Sequence, residues 1–598
     1  MWKLYLGYVL AIASFTVAEF PHQQQQGRVN EQEVKDGRPN IVVILTDDQD
    51  VHLQSLNYMP LLKKYVSDEG TSYTRHYCTT AICCPSRVTL WTGRNAHNTN
   101  VTDVSPPYGG YPKFISQGFN SKWLPVWLQA ANYSTYYTGK LFNAHTIANY
   151  NNPRPSGWTS SDFLLDPHTY QYLNATFQRN AAAPISHPGE YSTDVLAEKA
   201  YGLLAEAIES KKPFFLTAAP IGPHADVNPF AKVPGTDQAV QMTAPIPAAR
   251  HAHLFPGVKV PRTDNFNPDT PSGASWIKKL AKLSPEVIAY NDDFYRARLQ
   301  ALQAVDELVE GLVQRLEKYG VLDNTYIIFS SDNGYHISQH RLNPGKECGF
   351  EEDINVPFIV RGPGVAKGKE VDVVTAHTDF VPTILKIVGA ETGWEGLDGS
   401  PIPLTEREVE EASVKRQEHV NVEFWGRSIP EGVNKFSLDD GKVVAYGFNN
   451  TYKALRVIGK GYNLYYAVWC TNEHELYDLT TDPGQIHNLY PTTLTHPQQS
   501  IHVVSNIPLS KVLPRLDALL MVTKSCKAET CIDPWSVIHP EGDVHTLNNA
   551  LESRFDAFYA SIAERVGFEK CELGYILESE GPQEIVAFRR GVDYGEEL

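Results

Sequence analysis

The chain has 598 residues, a formal net charge of −17 and a sequence pI of about 5.6. That length is enough for one large and one small domain. Hydrophobic residues make up 42% and charged residues 20%, which is ordinary for a globular protein. Nucleic-acid binding needs a basic surface, so this acidic chain is expected to have no nucleic-acid partner.

The first 18 residues are typical of a secretory signal peptide. Lys3 gives a positive start, residues 4–17 are mostly apolar, and Ala18 closes a stretch suited to cleavage. The alternative is an uncleaved membrane anchor, but the apolar stretch is short for a bilayer and no later run is long enough, so we expect no stable membrane span. Residues 19–38 are polar and Gln-rich, which predicts a flexible leader.

Glycosylation sequons and cysteines fit the same route. The sequons predict a secreted or vacuolar, lysosome-like glycoprotein, with acceptors at Asn100, Asn132, Asn174 and Asn449. An oxidising compartment permits disulfides among the eight cysteines. Cys526 and Cys531 are close enough to close a small loop, although spacing alone leaves the pairing open.

Continuous apolar runs predict strands buried on both faces of a sheet. They lie at residues 41–45, 214–216, 326–329 and 356–360, and apolar residues recur at helical spacing over 299–319. This alternation predicts an α/β fold with a large mixed, mostly parallel sheet flanked by helices, over residues 39–400. The stretches 153–188 and 229–271 are expected to be loop insertions.

After residue 400 the pattern changes. Turn residues and short alternating segments, such as 452–468, predict a smaller C-terminal α+β domain with an antiparallel sheet, over residues 401–598.

Oxygen-bearing side chains follow two of the predicted strands. Asp47 and Asp48 come directly after residues 41–45, and Asp332 and Asn333 follow residues 326–329. Ligands of such sheets bind beyond the carboxyl ends of the strands, and carboxylate and amide oxygens suit Ca²⁺ or Mg²⁺. Each pair alone could simply cap a helix or turn. Their occurrence at equivalent strand ends favours one metal site.

The segment Cys83-Cys84-Pro85-Ser86-Arg87, followed by Thr92-Gly93-Arg94, resembles the signature of the formylglycine-dependent sulfatases. A disulfide cysteine beside a helix start is the simpler alternative. The resemblance extends from Pro39 to about Leu489 and is closest in texture to fungal arylsulfatases and N-acetylglucosamine-6-sulfatases. It implies an alkaline-phosphatase-like fold and a formylglycine nucleophile made from Cys83 by a formylglycine-generating enzyme.

The resemblance also implies roles for particular residues. The calcium ligands would be Asp47, Asp48, Asp332 and Asn333. The catalytic and substrate-binding residues would be Arg87, Lys140, His224 and Lys346, with His224 protonating the leaving oxygen. Many of these enzymes have a histidine two residues after the Gly-Lys lysine, where this chain has Phe142. Asn143 could then occupy the position of the base that acts in the last step, and His145 and His97 are further candidates for that base.

The resemblance therefore predicts an arylsulfatase that splits sulfate monoesters through a covalent formylglycine sulfate ester. The substrate could instead be a sulfated glycan, as in the N-acetylglucosamine-6-sulfatases. A phosphonate or phosphodiester hydrolase of the same superfamily is a second alternative, and a binding protein with a degenerate catalytic fold is a third. Aromatic residues in 108–113 and 158–177 could line a pocket for aryl groups or belong to the core.

Overall fold

The computed structural model describes residues 37–229, 241–432, 438–439, 442–443, 449–490, 502–504 and 507–594. The predicted signal peptide and nearly all of the predicted leader lie outside the described residues. None of the helices in the described ranges combines the length and apolar character needed to cross a bilayer.

The described part of the chain contains strands from residue 40 to residue 508. In chain order they are β1 (Asn40–Thr46), β2 (Thr71–Tyr73), β3 (His76–Tyr77), β4 (Ser134–Gly139), β5 (Ser160–Leu164), β6 (Asn174–Arg179), β7 (Ile185–Pro188), β8 (Phe214–Ala219), β9 (Asp226–Asn228), β10 (Gln241–Thr243), β11 (Thr325–Ser331), β12 (Phe358–Arg361), β13 (Lys369–Val371), β14 (Thr375–Ala376), β15 (His419–Phe424), β16 (Leu438–Asp439), β17 (Lys442–Val443), β18 (Tyr452–Gly459), β19 (Tyr462–Trp469), β20 (His474–Asp478), β21 (His502–Val504) and β22 (Ile507–Pro508).

The helices range from single turns to one of 34 residues. They are α1 (Pro60–Leu62), α2 (Cys83–Thr92), α3 (Ala96–Thr99), α4 (Gly110–Ser116), α5 (Leu124–Ala130), α6 (Ser192–Glu209), α7 (Ser275–Lys278), α8 (Pro285–Lys318), α9 (Glu351–Ile354), α10 (Phe380–Val388), α11 (Glu406–Lys415), α12 (Leu509–Thr523), α13 (Glu529–Ile532), α14 (Trp535–Ile538), α15 (Leu547–Ala550) and α16 (Asp556–Ser561).

Ten strands form one mixed sheet in the order β13-β2-β12-β11-β1-β8-β4-β5-β6-β7. The central neighbours β11, β1, β8, β4 and β5 are parallel. Antiparallel pairs flank them on both sides, with β12 against β11 and β6 against β5. The predicted mixed, mostly parallel sheet is confirmed, and β1 lies near its centre.

Helices cover both faces of this sheet. Alternate residues of β1 enter two different cores: Ile41, Val43 and Leu45 pack with α2 and α10, whereas Val42 and Ile44 pack with α6 and α8. A strand that buries both faces needs apolar side chains at every position. This is the physical reason for the continuous apolar run at residues 41–45.

The predicted C-terminal antiparallel sheet is also present, in the order β15-β18-β19-β20. One face packs on α12 in a core of its own. The other face packs against residues such as Phe350, which directly precedes α9, and Ile354, the last residue of α9. Disulfides join Cys470 to Cys571 and Cys526 to Cys531. The domain boundary at residue 400 remains a prediction.

One loop expectation from the sequence was wrong, and one helix was predicted too short. The stretch 153–188 is not a loop insertion, because β5, β6 and β7 lie within it and extend the large sheet. Of the stretch 229–271, residues 230–240 lie outside the described residues and the short strand β10 follows them. The helix expected over 299–319 is α8, which begins at Pro285, where the Ser284 hydroxyl accepts a hydrogen bond from the Val287 amide.

Candidate active site

The acidic pairs predicted from the sequence meet at the carboxyl ends of β1 and β11. The two strands are parallel neighbours and Thr46 pairs with Ser331, so the residues that follow them emerge side by side. The Asp48 amide donates to Asp332 Oδ1 at 3.0 Å. Asn333 Nδ2 donates to Asp48 Oδ1 at 2.8 Å. Asp47, Asp48, Asp332 and Asn333 are all fully buried.

Cys83 is the first residue of α2 and faces this acidic cluster. Its thiol lies 3.5 Å from Asp47 Oδ1 and 3.9 Å from Asp48 Oδ1. Arg87 follows one turn later on the same helix, and its Nε donates to Asp332 Oδ2 at 2.7 Å. Residues four apart share a helix face, which explains why the motif places a cysteine and an arginine at this spacing.

Two buried lysines approach the cluster from other elements. Lys140 follows β4, and its Nζ donates to Asp47 Oδ2 at 2.6 Å. Lys346 lies between β11 and α9, and its Nζ donates to both oxygens of Asp48 at 2.7 and 2.6 Å. The residue before Lys140 must be glycine, because Gly139 has a φ of +106° and a Cβ there would lie 2.1 Å from the Ala219 carbonyl oxygen.

His224 follows β8 and completes the ring of polar groups. Its Nε2 lies 3.5 Å from Asp48 Oδ2, and its Nδ1 lies 2.8 Å from the Ala225 carbonyl oxygen. A carbonyl accepts only, so Nδ1 carries the proton in this arrangement and the Nε2 atom faces the cluster. The Tyr170 ring stacks on the imidazole, with centroids 4.1 Å apart.

Asn143 is joined to this group through Tyr170. Its Nδ2 donates to the Tyr170 hydroxyl at 2.6 Å, and the Lys140 ammonium lies 4.7 Å from the centroid of the same ring. The other two candidates for the base have different contacts. His145 packs against the rings of Tyr111 and Phe163.

His97 is bound by partners outside the acidic cluster. Its Nδ1 lies 2.8 Å from Glu423 Oε2, and its Nε2 lies 2.8 Å from the Cys526 carbonyl oxygen. Both ring nitrogens are therefore occupied by structural partners. Neither His97 nor His145 contacts the residues grouped around Cys83 by any hydrogen bond described here.

Charge pairing lowers the pKa of two carboxylates in the cluster, whereas burial and the charge of Asp332 raise the pKa of Asp47. Burial would by itself raise the pKa of Asp48, but Lys346 and His224 hold that pKa below its usual value. Burial likewise opposes ionisation of Asp332, yet Arg87 and Lys140 lower its pKa. Burial would by itself lower the pKa of Lys346, but Asp48 and the other acidic groups around it together raise that pKa well above its ordinary value. The site therefore contains stable charges of both signs.

Cys83 behaves differently from these charged groups. Burial raises the pKa of its thiol well above the ordinary value, and the nearby lysines do not offset this. An unmodified thiol here is neutral and is a weak nucleophile, because the thiolate is the reactive form.

An observation other than charge also indicates that the acidic cluster can bind a divalent cation. Among the described residues, the buried Asn333 Oδ1 accepts no hydrogen bond, although buried oxygens almost always have a partner. Asp47, Asp48, Cys83 and His224 also bring their donor atoms within 4.8 Å of one another. Three carboxylates and an amide oxygen form a hard set of the type that binds Ca²⁺ or Mg²⁺.

Two residues at the site were not predicted from the sequence. Tyr170 lies in the aromatic stretch 158–177, which was singled out only as a whole. Glu431 has no signal in the sequence at all, and its Oε1 lies 3.1 Å from Lys346 Nζ. Both come from segments distant along the chain, so only the tertiary structure reveals them.

Buried cations around an oxygen-lined cluster, at the carboxyl ends of a mostly parallel sheet, suit the binding of an anionic ester. Residues 39–390 match the family model described as Sulfatase. The chain is 38% identical over 546 residues to an arylsulfatase of Volvox carteri, covering 88% of this chain and 80% of that protein. It is 30% identical to the N-acetylglucosamine-6-sulfatase of Homo sapiens, covering 83% and 86%. The chain belongs to the sulfatase family.

Solved structures support the fold. A protein determined with its substrate D-glucosamine-2-N,6-O-disulfate has a TM-score of 0.59 and 21% identity, with 76% of this chain and 94% of that chain covered. A phosphonate monoester hydrolase from Silicibacter pomeroyi has a TM-score of 0.50 and 17% identity, with 76% and 91% covered. The fold is thus shared with a protein solved with a sulfated glucosamine and with a phosphonate monoester hydrolase.

Proposed function

We propose that this chain is a secreted, calcium-dependent arylsulfatase with formylglycine at position 83. The observation that carries the proposal is the position of Cys83, whose thiol lies 3.5 Å from Asp47 at the edge of a buried acidic cluster. Its relatives from Volvox carteri and Chlamydomonas reinhardtii, both named arylsulfatase, are 38% and 37% identical over 88% of this chain. As a member of the sulfatase family, the chain hydrolyses sulfate esters.

One divalent cation would be held by Asp47, Asp48, Asp332 and Asn333, with Ca²⁺ favoured and Mg²⁺ as the alternative. Such an ion supplies a Lewis acid that withdraws charge from a sulfate oxygen. The unpartnered Asn333 Oδ1 among the described residues supports this assignment. Conversion of Cys83 by a formylglycine-generating enzyme would supply a hydrated aldehyde as the nucleophile, in place of a neutral thiol.

Three permanent cations prepare the site for an anionic substrate. Lys140 forms an ion pair with Asp47, and Lys346 forms one with Asp48. Arg87 Nη2 is buried and, within the described ranges, donates no hydrogen bond. We assign these side chains to the sulfate group, where negative charge spreads in the transition state.

His224 is the proposed general acid. The Ala225 carbonyl fixes the proton on Nδ1 and leaves Nε2 directed at the cluster, so a proton delivered to the leaving oxygen comes from Nε2 of the protonated ring. Tyr170 restrains the ring by stacking, and Asn143 restrains Tyr170 through its hydroxyl. Asn143, His224 and Lys346 then form the substrate-binding side of the site.

The proposed substrate class follows from the stacked rings of Tyr170 and His224. Tyr170 and His224 present stacked rings beside Cys83, which suits a planar leaving group. The alternative is a sulfated amino sugar, supported by 30% identity to a human N-acetylglucosamine-6-sulfatase. We expect the purified, formylglycine-bearing protein to hydrolyse 4-nitrophenyl sulfate with a higher kcat/KM than N-acetylglucosamine-6-sulfate, and not to hydrolyse 4-nitrophenyl phosphate at a comparable rate. A preference for the sugar sulfate would select the alternative.

The effect of removing His224 should depend on the leaving group. For an alkyl sulfate, whose alkoxide leaves poorly, we expect His224→Ala to lower kcat/KM by about 10²- to 10⁴-fold, the usual contribution of a general acid. For 4-nitrophenyl sulfate, whose phenolate needs little protonation, the loss should be much smaller. Steady-state kinetics on a series of sulfate esters measures how the loss in kcat/KM depends on the leaving group.

A matched control for that variant is Tyr170→Phe. It keeps the ring that stacks on His224 and removes only the hydroxyl that accepts from Asn143. We expect a smaller loss that does not vary with the leaving group. Equal losses for His224→Ala on every ester would contradict the proposed acid role.

The proposed secretory route rests on the N-terminal signal and on the sequons. Asn132 and Asn449 are exposed, whereas Asn100 and Asn174 are half-buried. We therefore propose Asn132 and Asn449 as the more accessible glycosylation sites, with a secreted or vacuolar, lysosome-like location.

A further inference from the structure

Lys346 contacts two carboxylates, those of Asp48 and Glu431. Its Nζ donates to both oxygens of Asp48, at 2.7 and 2.6 Å. The same Nζ lies 3.1 Å from Glu431 Oε1. All three side chains are nearly or fully buried. The ammonium therefore bridges a proposed metal ligand and a carboxylate that has no part in the proposed metal site.

Both oxygens of Asp48 cannot serve Lys346 and a divalent cation equally well. A carboxylate has a limited number of lone pairs, and an ammonium held against them repels a second cation at the same atoms. Lys346 must therefore loosen its contact with Asp48 when an ion binds. A buried ammonium that loses its partner is costly, so metal binding at Asp48 requires a second carboxylate within reach of Lys346.

Glu431 is fixed in the position that this role needs. Its Oε2 accepts a hydrogen bond from the Tyr335 hydroxyl at 3.0 Å, and its amide donates to the Pro344 carbonyl oxygen at 2.7 Å. The guanidinium of Arg298 lies 3.9 Å from the centroid of the Tyr335 ring. The carboxylate is thus held at the segment that carries Lys346 before any ligand arrives.

The contacts between the two segments continue on the other side of Lys346. The Ile429 amide donates to Glu347 Oε2 at 2.6 Å. Glu347 itself has a left-handed backbone, with a φ of +81°, which is uncommon for a residue other than glycine. The segment around Glu431 and the segment around Lys346 are therefore held together as a unit.

We infer that Glu431 is a positioning residue that takes over the Lys346 ammonium as Asp48 becomes a metal ligand. This inference rests on the proposed metal site and extends the proposed function to a residue outside the family signature. Glu431 acts through Lys346 and does not itself hold the ion or the sulfate. It lets one lysine be paired in the metal-free protein and remain close to the sulfate site in the loaded one.

The test is calcium affinity in the full chain, measured by competition with a chromophoric chelator. We expect Glu431→Gln, which keeps the size and an acceptor but removes the charge, to raise the Kd for Ca²⁺ about tenfold. In the Lys346→Met background the same substitution should change the Kd by less than twofold, because no ammonium competes for Asp48. Coupling of this kind is what a double-mutant cycle isolates.

Turnover gives an independent reading in the same preparations. At saturating Ca²⁺, Glu431→Gln should raise the KM for 4-nitrophenyl sulfate more than it lowers kcat, because Lys346 is less well placed to bind the sulfate. Glu347→Gln is the matched control. Its carboxyl adjoins Lys346 in sequence but accepts from Ile429, so the Kd for Ca²⁺ should stay within twofold of the wild-type value.

Two results would overturn the inference. One is an unchanged Kd in Glu431→Gln, and the other is an equal loss of affinity with and without Lys346, which would mean that Glu431 acts on the ion directly. Melting temperatures of all variants identify any that fail to fold. A wild-type protein that binds no divalent cation and hydrolyses no sulfate ester would instead contradict the proposed function, and wild-type activity on the same day separates the two failures.

Discussion

We expect Cys83→Ala to abolish hydrolysis of 4-nitrophenyl sulfate while leaving the fold and divalent cation binding in place. Cys83 begins α2 and its side chain is fully buried beside Asp47, so alanine removes the reacting atom with little change in packing. Among the described residues, Cys83 is the one cysteine whose sulfur lies with the donor atoms of Asp47 and Asp48. The loss should therefore be in kcat, and Ca²⁺ affinity should be unchanged.

Cys84 offers a control within the same motif. It is also buried, but it packs into the hydrophobic core with Val88 and Trp91 rather than into the acidic cluster. Cys84→Ala should keep turnover, with a modest loss of stability from the small cavity. Substantial sulfatase activity in Cys83→Ala would contradict the assignment of the nucleophile.

Mass spectrometry tests the same assignment without a substitution. The tryptic peptide from His76 to Arg87 contains Cys78, Cys83 and Cys84, and fragmentation locates any modification among them. Conversion of Cys83 to formylglycine makes the peptide lighter and reactive towards an aldehyde reagent. A peptide in which every copy of Cys83 is an unmodified thiol, from protein that is active, would contradict the proposed chemistry.

The parts of the site that the sequence predicts are those built from local rules. Asp47 and Asp48 follow a strand buried on both faces, whose apolar run is unmistakable, and Asp332 follows the strand that pairs with it in parallel. The two strands end together because parallel neighbours in register bring their carboxyl ends to one edge. Cys83 and Arg87 share a helix face through their spacing alone.

The remaining parts depend on contacts between distant segments. Tyr170 reaches His224 because the segment after β5 meets the segment after β8, where the Val227 amide donates to the Tyr170 carbonyl oxygen. The sequence predicted loops where β5, β6 and β7 form. β5 begins Ser-Ser-Asp yet is buried throughout, so its polar residues conceal it from a search for apolar runs. Glu431 is held near Lys346 by a hydrogen bond from its backbone amide to the Pro344 carbonyl oxygen. A backbone hydrogen bond of this kind cannot be predicted from the pattern of side chains.

Removal of divalent cations should abolish both turnover and binding of inorganic sulfate. The three carboxylates of Asp47, Asp48 and Asp332 are matched by three permanent cations, Arg87, Lys140 and Lys346, which are already paired with them. Without further positive charge the site offers an anionic ester little net attraction. Lys346 is also held on Asp48 and is unavailable to a sulfate oxygen. Chelator-treated protein, assayed for turnover and for inhibition by sulfate, measures both losses.

Restoration of activity distinguishes a bound ion from general salt effects. Adding Ca²⁺ to the stripped wild-type protein should restore turnover with one ion per chain, and Mg²⁺ tests the alternative ion. Asp48→Asn should not recover with either, because it removes a charged ligand from the proposed metal site. Asp194→Asn, at an exposed ion pair with Arg250, should recover as the wild type does. Full activity in the stripped protein would mean that Lys346, Lys140 and Arg87 alone overcome the repulsion between the carboxylates and the substrate, which their existing pairing argues against.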